Sequence, residues 1–377
     1  MFYIIFVKVI KSYKYRIYPT RMQILSVEHQ FDLCRWLHNT AVEHRITAYK
    51  SAGKSISYLM QANELSGIKE QFPEFSNVHS QVLQDILKRL DIAFKHFFRR
   101  VKQGQKAGFP RFKGKERFSS ICYPQSGFKI EGNRVLLSKI GSLKIKLHRK
   151  IIGDIKTCSV KRSGNQWYVV FTAEQNIVVP KKVVSTAVGI DLGLESFAVL
   201  SDGSRIENPR YLKKSEEKLK SIQSRYSKYM GKATKGKLSA LHRKVNNQRN
   251  DFLHKASTMV VNKYGLIAYE DLNIKKMAQG RFSKSIYDAG WGKFTDMIKY
   301  KAESAGNYAI AVNPRNTSKT CSCCGTIVEK KIYNRSHDCP VCGLSLHRDL
   351  NASLNILRLG TDRMKEGFAR LHQSHIL

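Results

Sequence analysis

Two closely spaced pairs of cysteines constrain the fold of this chain more than any other feature of its sequence. Both pairs read C-x-x-C-G, at Cys321 and Cys324 and again at Cys339 and Cys342, with fourteen residues between them. A hairpin that joins two such pairs creates the tetrahedral sulfur shell that Zn²⁺ prefers. Four thiolates leave no open coordination position, so the spacing predicts one structural Zn²⁺ per chain.

The remaining cysteines argue against a secreted disulfide scaffold. Five of the eight cysteines lie within 22 positions, which is typical of a metal site rather than of a disulfide framework. Cys323 breaks the period and is predicted to be a spare thiol. His337 could compete as a ligand, but it lies outside the pattern. No run of residues approaches the roughly eighteen apolar positions that a membrane span needs, and we expect a cytoplasmic protein without a membrane partner.

The charge of the chain points to a polyanionic partner. Sixty-six Lys and Arg face 29 Asp and Glu, which leaves a formal net charge of +37. A chain this basic repels itself on folding, so we expect it to work while bound to nucleic acid. The basic residues are spread through folded segments rather than gathered in one amphipathic helix, which disfavours an anionic membrane surface as the partner.

One basic stretch, residues 95–117, contains nine Lys or Arg and a single Glu. Its centre, FPRFK at 109–113, alternates aromatic rings with cations, which suits base stacking beside phosphate contact. A solvated loop whose phenylalanines pack inward is an equally good interpretation. The candidate nucleic-acid contacts in this stretch are Arg99, Arg100, Arg111, Lys113 and Arg117.

The periodicity of apolar residues predicts a multidomain α+β protein. Alternating, strand-like runs at 8–19 and 118–180 predict a β-barrel, and helical spacing between them predicts an inserted helical unit. From residue 187 the pattern changes to apolar strands followed by helices, which is typical of an α/β domain. The boundary between the two parts is expected at Lys181 and Lys182.

Three carboxylates stand at the ends of elements in the α/β part. Asp191 and Glu270 each end an apolar strand, and Asp349 begins an amphipathic helix just after the second cysteine pair. Neighbouring strand ends and an abutting helix N-terminus can gather the three into one patch that holds two divalent cations. Two such cations can cleave a phosphodiester bond. Three other acidic residues nearby are expected to lie outside this patch, namely Glu195, Asp202 and Asp271.

The sequence around these carboxylates resembles the three acidic motifs of the RuvC-like nuclease in TnpB proteins, which are transposon-encoded RNA-guided nucleases. The matching segments are VGIDLGLESFAVLSDG at 188–203, AYEDLN at 268–273 and CGLSLHRDLNASLNIL at 342–357. Four further segments also match, at 14–23, 107–115, 291–306 and 313–325. The resemblance therefore extends from about residue 10 to residue 358.

The resemblance implies an architecture for the chain. It implies a wedge-like β-barrel, an inserted helical recognition unit, and an RNase H-like (RuvC) nuclease with an inserted zinc ribbon. The corresponding ranges are 1–20 and 116–182 for the barrel, 21–115 for the helical unit, 183–312 and 346–360 for the nuclease, 313–345 for the ribbon, and 361–377 for a mobile tail.

The resemblance also implies residue roles and partners. Asp191, Glu270 and Asp349 would be the catalytic residues and would hold two Mg²⁺ or Mn²⁺ ions, and the four cysteines would hold the structural Zn²⁺. The partners would be a noncoding guide RNA from the transposon end and double-stranded target DNA. A prokaryotic cytosolic, nucleoid-associated location would follow.

Two other functions are compatible with the charge and the fold class. A nucleic-acid-binding regulator or accessory transposition factor would bind without cutting, but it has no need for three carboxylates at these positions. A DNA transposase that joins ends itself is allowed by an RNase H-like core, since a fold does not define one function.

Overall fold

In the computed structural model, the chain divides into two compact units. The first is Lys8–Asn176, and the second comprises the described parts of Ile177–Leu377 and Met1–Val7. The described residues are 4–180, 185–229, 231–280, 282–331 and 334–373. The boundary predicted at Lys181 and Lys182 lies outside them. None of the described helices is long and apolar enough to cross a membrane.

The first unit combines four helices with a seven-stranded sheet, of which residues 4–7 and 177–180, at the ends of two strands, belong to the second unit. The strands are β1 (Ile4–Tyr18), β2 (Ser120–Tyr123), β3 (Phe128–Glu131), β4 (Arg134–Leu137), β5 (Gly141–Lys146), β6 (Asp154–Ser163) and β7 (Gln166–Pro180), in the sheet order β2-β6-β7-β1-β5-β4-β3. The helices are α1 (Arg21–Ala52), α2 (Tyr58–Asn63), α3 (Leu65–Gln71) and α4 (Ser80–Lys102). All four helices therefore lie between β1 and β2 in the chain, where the sequence predicts a helical insertion.

Sheet and helices of this unit share one hydrophobic core. Along β7 the side chains of Trp167, Val169 and Phe171 are buried at alternate positions, as expected for a strand with one face on a core. Phe31 of α1 and Leu83 of α4 belong to the same cluster of buried residues. The inserted helices and the strands of the sheet therefore fold around the same core.

The N-terminus of α1 is defined by local sequence. The side-chain oxygen of Thr20 accepts a hydrogen bond from the backbone N–H of Gln23 at 3.3 Å, and the Gln23 side chain accepts one from the backbone N–H of Thr20 at 3.0 Å. This reciprocal capping satisfies two of the backbone donors that a helix start leaves without partners. Gly53 ends the helix with a left-handed φ of 62°, a conformation that glycine adopts without steric cost.

The second unit is built around a five-stranded sheet. Its strands are β8 (Ala187–Leu192), β9 (Ser196–Leu200), β10 (Arg205–Glu207), β11 (Leu266–Glu270) and β12 (Tyr308–Val312), in the order β10-β9-β8-β11-β12. β8, β11 and β12 are parallel to one another, and β9 and β10 pair antiparallel. The other elements are α5 (Tyr211–Tyr229), α6 (Lys232–Lys263), α7 (Ile274–Met277), α8 (Ser283–Ala289), α9 (Trp291–Ala305), the hairpin β13 (Ser336–Asp338) and β14 (Ser345–His347), and α10 (Arg348–Gln373).

Helices cover both faces of this sheet. On one face, Ile190 and Ile267 pack with apolar residues of α6 and α9, such as Val260 and Phe294. On the other face, Ala268 packs with Ile356 of α10. Every residue of β9 and β11 is buried, as expected for strands that are covered on both sides.

Helix α10 continues to Gln373, through most of the segment 361–377 that the sequence predicts to be a mobile tail, and the mobility of this segment stays a prediction. Gly360, which precedes this segment, lies inside the helix rather than at its end. A Cβ on Gly360 would lie 2.3 Å from the Cβ of Ala268 on β11. The glycine is therefore a point of close approach between helix and sheet. Residues 374–377 lie outside the described part of the chain.

Candidate active site

The alternation of side chains along β8 and β11 places two acidic residues on the same face of the sheet. Val188 and Ile190 point toward α6 and α9, so Gly189 and Asp191 point to the opposite face, where α10 lies. On β11, Ile267 faces α6 and α9, whereas Ala268 faces α10. Glu270 has the parity of Ala268 and shares that face with Asp191.

Asp349 approaches the same place from the helix. It occupies the first turn of α10, and α10 packs directly on β8 and β11. A Cβ on Gly189 would lie 2.0 Å from the carbonyl oxygen of Ser353 and 2.5 Å from the backbone nitrogen of Leu357. Only glycine allows the backbones to approach this closely, so Gly189 sets the depth at which α10 rests on the sheet.

The electrostatics of the site reflect the approach of the three carboxylates. Burial raises the pKa of Asp191 well above its usual range, and the negative charges of Glu270 and Asp349 raise it further, while Arg348 opposes them. Burial also raises the pKa of Glu270, and a hydrogen bond from Thr317 partly offsets this. The structure therefore brings Asp191, Glu270 and Asp349 together, in a site where negative charge is costly unless a cation is present.

The other acidic residues near the site have different partners. Asp202 lies in the turn after β9 and accepts hydrogen bonds from Lys263 at 2.8 Å and from Tyr264 at 2.5 Å. Glu195 is exposed and pairs with Arg335 at 2.8 Å. Asp271 is exposed beyond the end of β11. These positions agree with the expectation that all three stay outside the carboxylate patch.

The four cysteines of the two pairs form one cluster. Their sulfur atoms all lie within 4.8 Å of one another, with 3.6 Å between Cys321 and Cys342 and 3.6 Å between Cys324 and Cys339. A tetrahedral site with Zn–S bonds of about 2.3 Å has sulfur–sulfur edges of about 3.8 Å. The geometry therefore fits a single tetrahedral ion.

Both cysteine pairs adopt the same turn. The N–H of Gly325 donates to the carbonyl of Cys321 at 3.0 Å, and the N–H of Gly343 donates to that of Cys339 at 3.0 Å. Both glycines have left-handed φ angles, 80° and 72°. Cys323 is exposed and His337 is outside the cluster.

Three polar residues that the sequence patterns do not single out also belong to the site. Thr317 donates a hydrogen bond to a carboxylate oxygen of Glu270 at 2.5 Å. Asn351 and Asn355 of α10 are completely or almost completely buried and bond to the segment that leads into the first cysteine pair. Two asparagines four residues apart on an otherwise apolar helix face are the signal that could have revealed them.

The candidate nucleic-acid contacts lie on the first unit. Arg99 and Arg100 are exposed in the last turn of α4, and Arg111 and Arg117 are exposed further along the chain. Lys113 is half-buried. The side chain of Asn39 on α1 donates to its carbonyl at 3.1 Å and accepts from its N–H at 2.8 Å. The basic loop is thus attached to α1.

The two phenylalanines of this loop differ. Phe109 packs edge-on against Phe94 and Phe97, with ring centroids 5.4 and 5.2 Å apart, yet 44% of it stays exposed. Phe112 is 51% exposed. Inward packing thus buries part of the Phe109 ring. Base stacking stays a prediction for both rings.

Fold and site together define a two-unit protein in which an inserted four-cysteine ribbon adjoins a carboxylate-bearing mixed sheet. Three family models match it. "Cas12f1-like, TNB domain" matches residues 291–356, "Probable transposase" matches 168–281, and "Helix-turn-helix domain" matches 9–54. Residues 9–54 are all described, and they form most of β1 followed by the single long helix α1 rather than two helices joined by a turn.

The chain belongs to the TnpB family. A relative from Escherichia coli (strain K12), named "Putative RNA-guided DNA endonuclease InsQ", is 30% identical over 94% of this chain and 93% of its own length. A Streptomyces pristinaespiralis protein, named "Putative RNA-guided DNA endonuclease", is 31% identical over 93% of this chain and 89% of its own length. "TnpB-like protein L770" of Acanthamoeba polyphaga mimivirus is 24% identical over 93% and 73%. Among solved structures, the "mini-RNA-guided endonuclease CRISPR-Cas_phi3" aligns with a TM-score of 0.49 at 12% identity, covering 94% of this chain and 92% of that one.

Proposed function

We propose that this protein is an RNA-guided DNA endonuclease that cuts with the carboxylates of Asp191, Glu270 and Asp349. The observation that carries the proposal is the convergence of these three residues on one face of the β8–β11 sheet. The strand order β10-β9-β8-β11-β12 supports an RNase H-like (RuvC) nuclease fold for the second unit. Two relatives that align with nearly the whole chain have names that include "RNA-guided DNA endonuclease". These names support DNA as the substrate and RNA as the guide.

The donor set of the site fits Mg²⁺ or Mn²⁺. Carboxylate oxygens are the ligands that these ions prefer. The pKa values of Asp191 and Glu270 are raised because burial disfavours their negative charge, and a bound cation would offset that cost. Two such ions, when bound, activate a water molecule and stabilise the leaving oxygen of a phosphodiester. The residues of this chain hold and orient the ions, and the close packing of α10 on β8 keeps Asp349 beside Asp191.

The cysteine cluster is proposed to hold one structural Zn²⁺. Thiolates are ligands that Zn²⁺ accepts readily, and four of them close its coordination shell. The ribbon (residues 313–345) would then be folded by its metal, as is common for small metal-bound elements. This role is structural, because no coordination position is left for a substrate.

The guide RNA and the target DNA are proposed to lie along the basic surfaces. The net charge of +37 is much larger than one short DNA site requires, because each phosphate contact needs a single cation. The first unit would combine the wedge-like barrel with the helical recognition unit. The proposed nucleic-acid contacts on this unit are Arg99, Arg100, Arg111, Lys113 and Arg117. Base pairing with the guide would then select the target, while the protein reads a short flanking motif.

The proposed catalytic site is tested by Asp191→Asn, which removes a charge without changing the size of the side chain. Mg²⁺-dependent cleavage of a guide-matched DNA should be abolished, because the proposed metal site would lose one of its three carboxylates. Binding of RNA and DNA should be unchanged. The control is Asp271→Asn, which removes an exposed carboxylate adjacent to Glu270 and should cut normally. Equal cleavage by Asp191→Asn and the wild type would show that the triad is not catalytic.

The source of specificity is tested by changing the guide. The protein is purified with the RNA transcribed from its own flanking DNA, and the guide segment is then replaced. Cleavage should move to the newly matched site beside the same flanking motif. Cleavage that persists after RNase treatment would leave a nonspecific nuclease, and tight binding with no cleavage at any site would favour a regulator.

A further inference from the structure

Thr317 lies where the ribbon meets the carboxylate site. Its side chain is buried, with 4% of the residue exposed. Its hydroxyl donates to Glu270 Oε1 at 2.5 Å and lies 3.2 Å from the carbonyl of Pro314. Glu270 itself is 8% exposed. A buried hydroxyl at this distance restricts the rotation of the carboxylate, since turning it away would leave a buried acceptor without its donor.

Helix α10 holds the backbone on which Thr317 stands. The side-chain amide of Asn355 donates to the carbonyls of Thr317 at 3.0 Å and of Thr320 at 2.6 Å. One turn earlier, the amide of Asn351 donates to Thr320 at 2.8 Å, and its oxygen accepts from the N–H of Ser322 at 2.9 Å. The same helix carries Asp349 in its first turn, so two of the three carboxylates are tied to one element.

Thr317 lies in a tight turn just before the first cysteine. Asn316 has a left-handed φ of 62°, which is uncommon outside glycine. Its carbonyl accepts hydrogen bonds from the N–H groups of Lys319 at 3.0 Å and Thr320 at 2.9 Å. Cys321 follows immediately. A displacement of the cysteine pair is therefore passed to Thr317 through only a few residues of constrained backbone.

We propose that Thr317 is a positioning residue for Glu270 and that Asn355, Asn351 and the folded ribbon hold it in place. Partners of a metal-binding carboxylate fix its orientation, and their loss commonly weakens metal affinity or activity about 10–100-fold. On this basis the ribbon has a task beyond its own stability, because it orients one carboxylate of the cutting site. The inference rests on the proposed metal site at Asp191, Glu270 and Asp349.

The first test measures Mn²⁺ binding to the full-length protein by the electron paramagnetic resonance signal of free Mn²⁺. Binding that is lost in Asp191→Asn defines the carboxylate site. Thr317→Val keeps the branched shape but removes the hydroxyl, and it should weaken binding at this site about 10-fold or more. Thr317→Ser should restore most of the affinity, since it retains the donor.

A matched control removes a hydroxyl elsewhere in the second unit. Thr295 on α9 is half-buried, and its hydroxyl donates to the carbonyl of Gly292 at 3.0 Å. Thr295→Val should bind Mn²⁺ like the wild type. If Thr317→Val also binds Mn²⁺ like the wild type, Thr317 does not position Glu270 and the inference is overturned.

The second test addresses the path through α10. Asn355→Ala should weaken Mn²⁺ binding as Thr317→Val does, and the double variant should be no worse, because both changes act on the same contact. Asn307→Ala is the control, since the Asn307 amide also bonds two backbone carbonyls, those of Val261 at 2.7 Å and Tyr264 at 3.0 Å. Additive losses in the double variant would refute the shared path.

The outcomes separate this inference from the proposed function. If the wild-type protein binds Mn²⁺ at the site but never cuts DNA, the proposed nuclease activity is refuted. The positioning role of Thr317 is then decided by the Mn²⁺ affinity of Thr317→Val. A wild-type protein whose Mn²⁺ binding equals that of Asp191→Asn would refute the metal site and, with it, the role of Thr317. Cleavage at rising Mg²⁺ concentrations gives an independent readout, in which Thr317→Val should need about 10-fold more Mg²⁺.

Discussion

Replacing Gly189 by alanine measures how closely α10 rests on the sheet. The new Cβ would lie 2.0 Å from the carbonyl oxygen of Ser353 and 2.5 Å from the backbone nitrogen of Leu357. Ordinary contact distances are about 3.5 Å, so helix and strand must separate by roughly 1.5 Å. Overpacking of this kind costs about 1–3 kcal/mol. The upper end applies here, because the clashing atoms are backbone on a helix and cannot rotate away.

The expected loss is a lower melting temperature, measured by differential scanning calorimetry. A cost of about 3 kcal/mol corresponds to a decrease of roughly 6–12 °C for a unit of about 200 residues. Gly236→Ala in the interior of α6 is the control, since its Cβ would meet no described atom within 4 Å. That variant should melt at or above the wild-type temperature, because alanine favours a helix over glycine by about 1 kcal/mol.

The position of Gly189 adds a second readout. Asp191 lies two residues further along β8 and Asp349 begins the displaced helix, so Gly189→Ala should also weaken Mn²⁺ binding at the carboxylate site. A variant that melts within about 1 °C of the wild type would show that α10 does not contact β8 as described. The placement of Asp349 beside Asp191 by α10 would then be wrong as well.

Two further predictions concern the ribbon and a turn. Cys339→Ser should lose Zn²⁺ in elemental analysis and destabilise the ribbon, whereas Cys323→Ser should keep one Zn²⁺ per chain, and retention of full Zn²⁺ by Cys339→Ser would contradict the assignment. Burial raises the pKa of Asp202, but hydrogen bonds from Lys263, Ser204 and Tyr264 together hold it below its usual value. Asp202→Asn should therefore cost about 1–2 kcal/mol at pH 7, and this difference should shrink as the pH falls below about 4, where the unfolded wild type begins to take up the proton. A difference that stays constant from pH 7 to pH 3 in denaturant titrations would contradict this account.

Local features of the sequence were sufficient for much of the fold. The helical spacing of apolar residues after position 20 predicts α1, and the structure shows that its start is capped by neighbours in the chain, Thr20 and Gln23. The alternation of apolar residues that includes Trp167, Val169 and Phe171 predicts a strand with one buried face. The two C-x-x-C-G pairs predict their own cluster, since a hairpin needs only fourteen intervening residues to bring them together. In each case the residues that interact are close in sequence.

Other features depend on contacts between distant segments, and only the tertiary structure decided them. Gly360 precedes what the sequence predicts to be a mobile tail, but its contact with Ala268 makes it an interior position of α10. Asp191 and Glu270 are 79 positions apart, and their common face follows from the parallel pairing of β8 with β11. Thr317 has no local signal for a role beside Glu270, because its partner and its supports, Asn351 and Asn355, belong to other elements. Side-chain chemistry and spacing are properties of the sequence, but a shared site requires that strands and helices stack, and that arrangement is set by the packing of the whole unit.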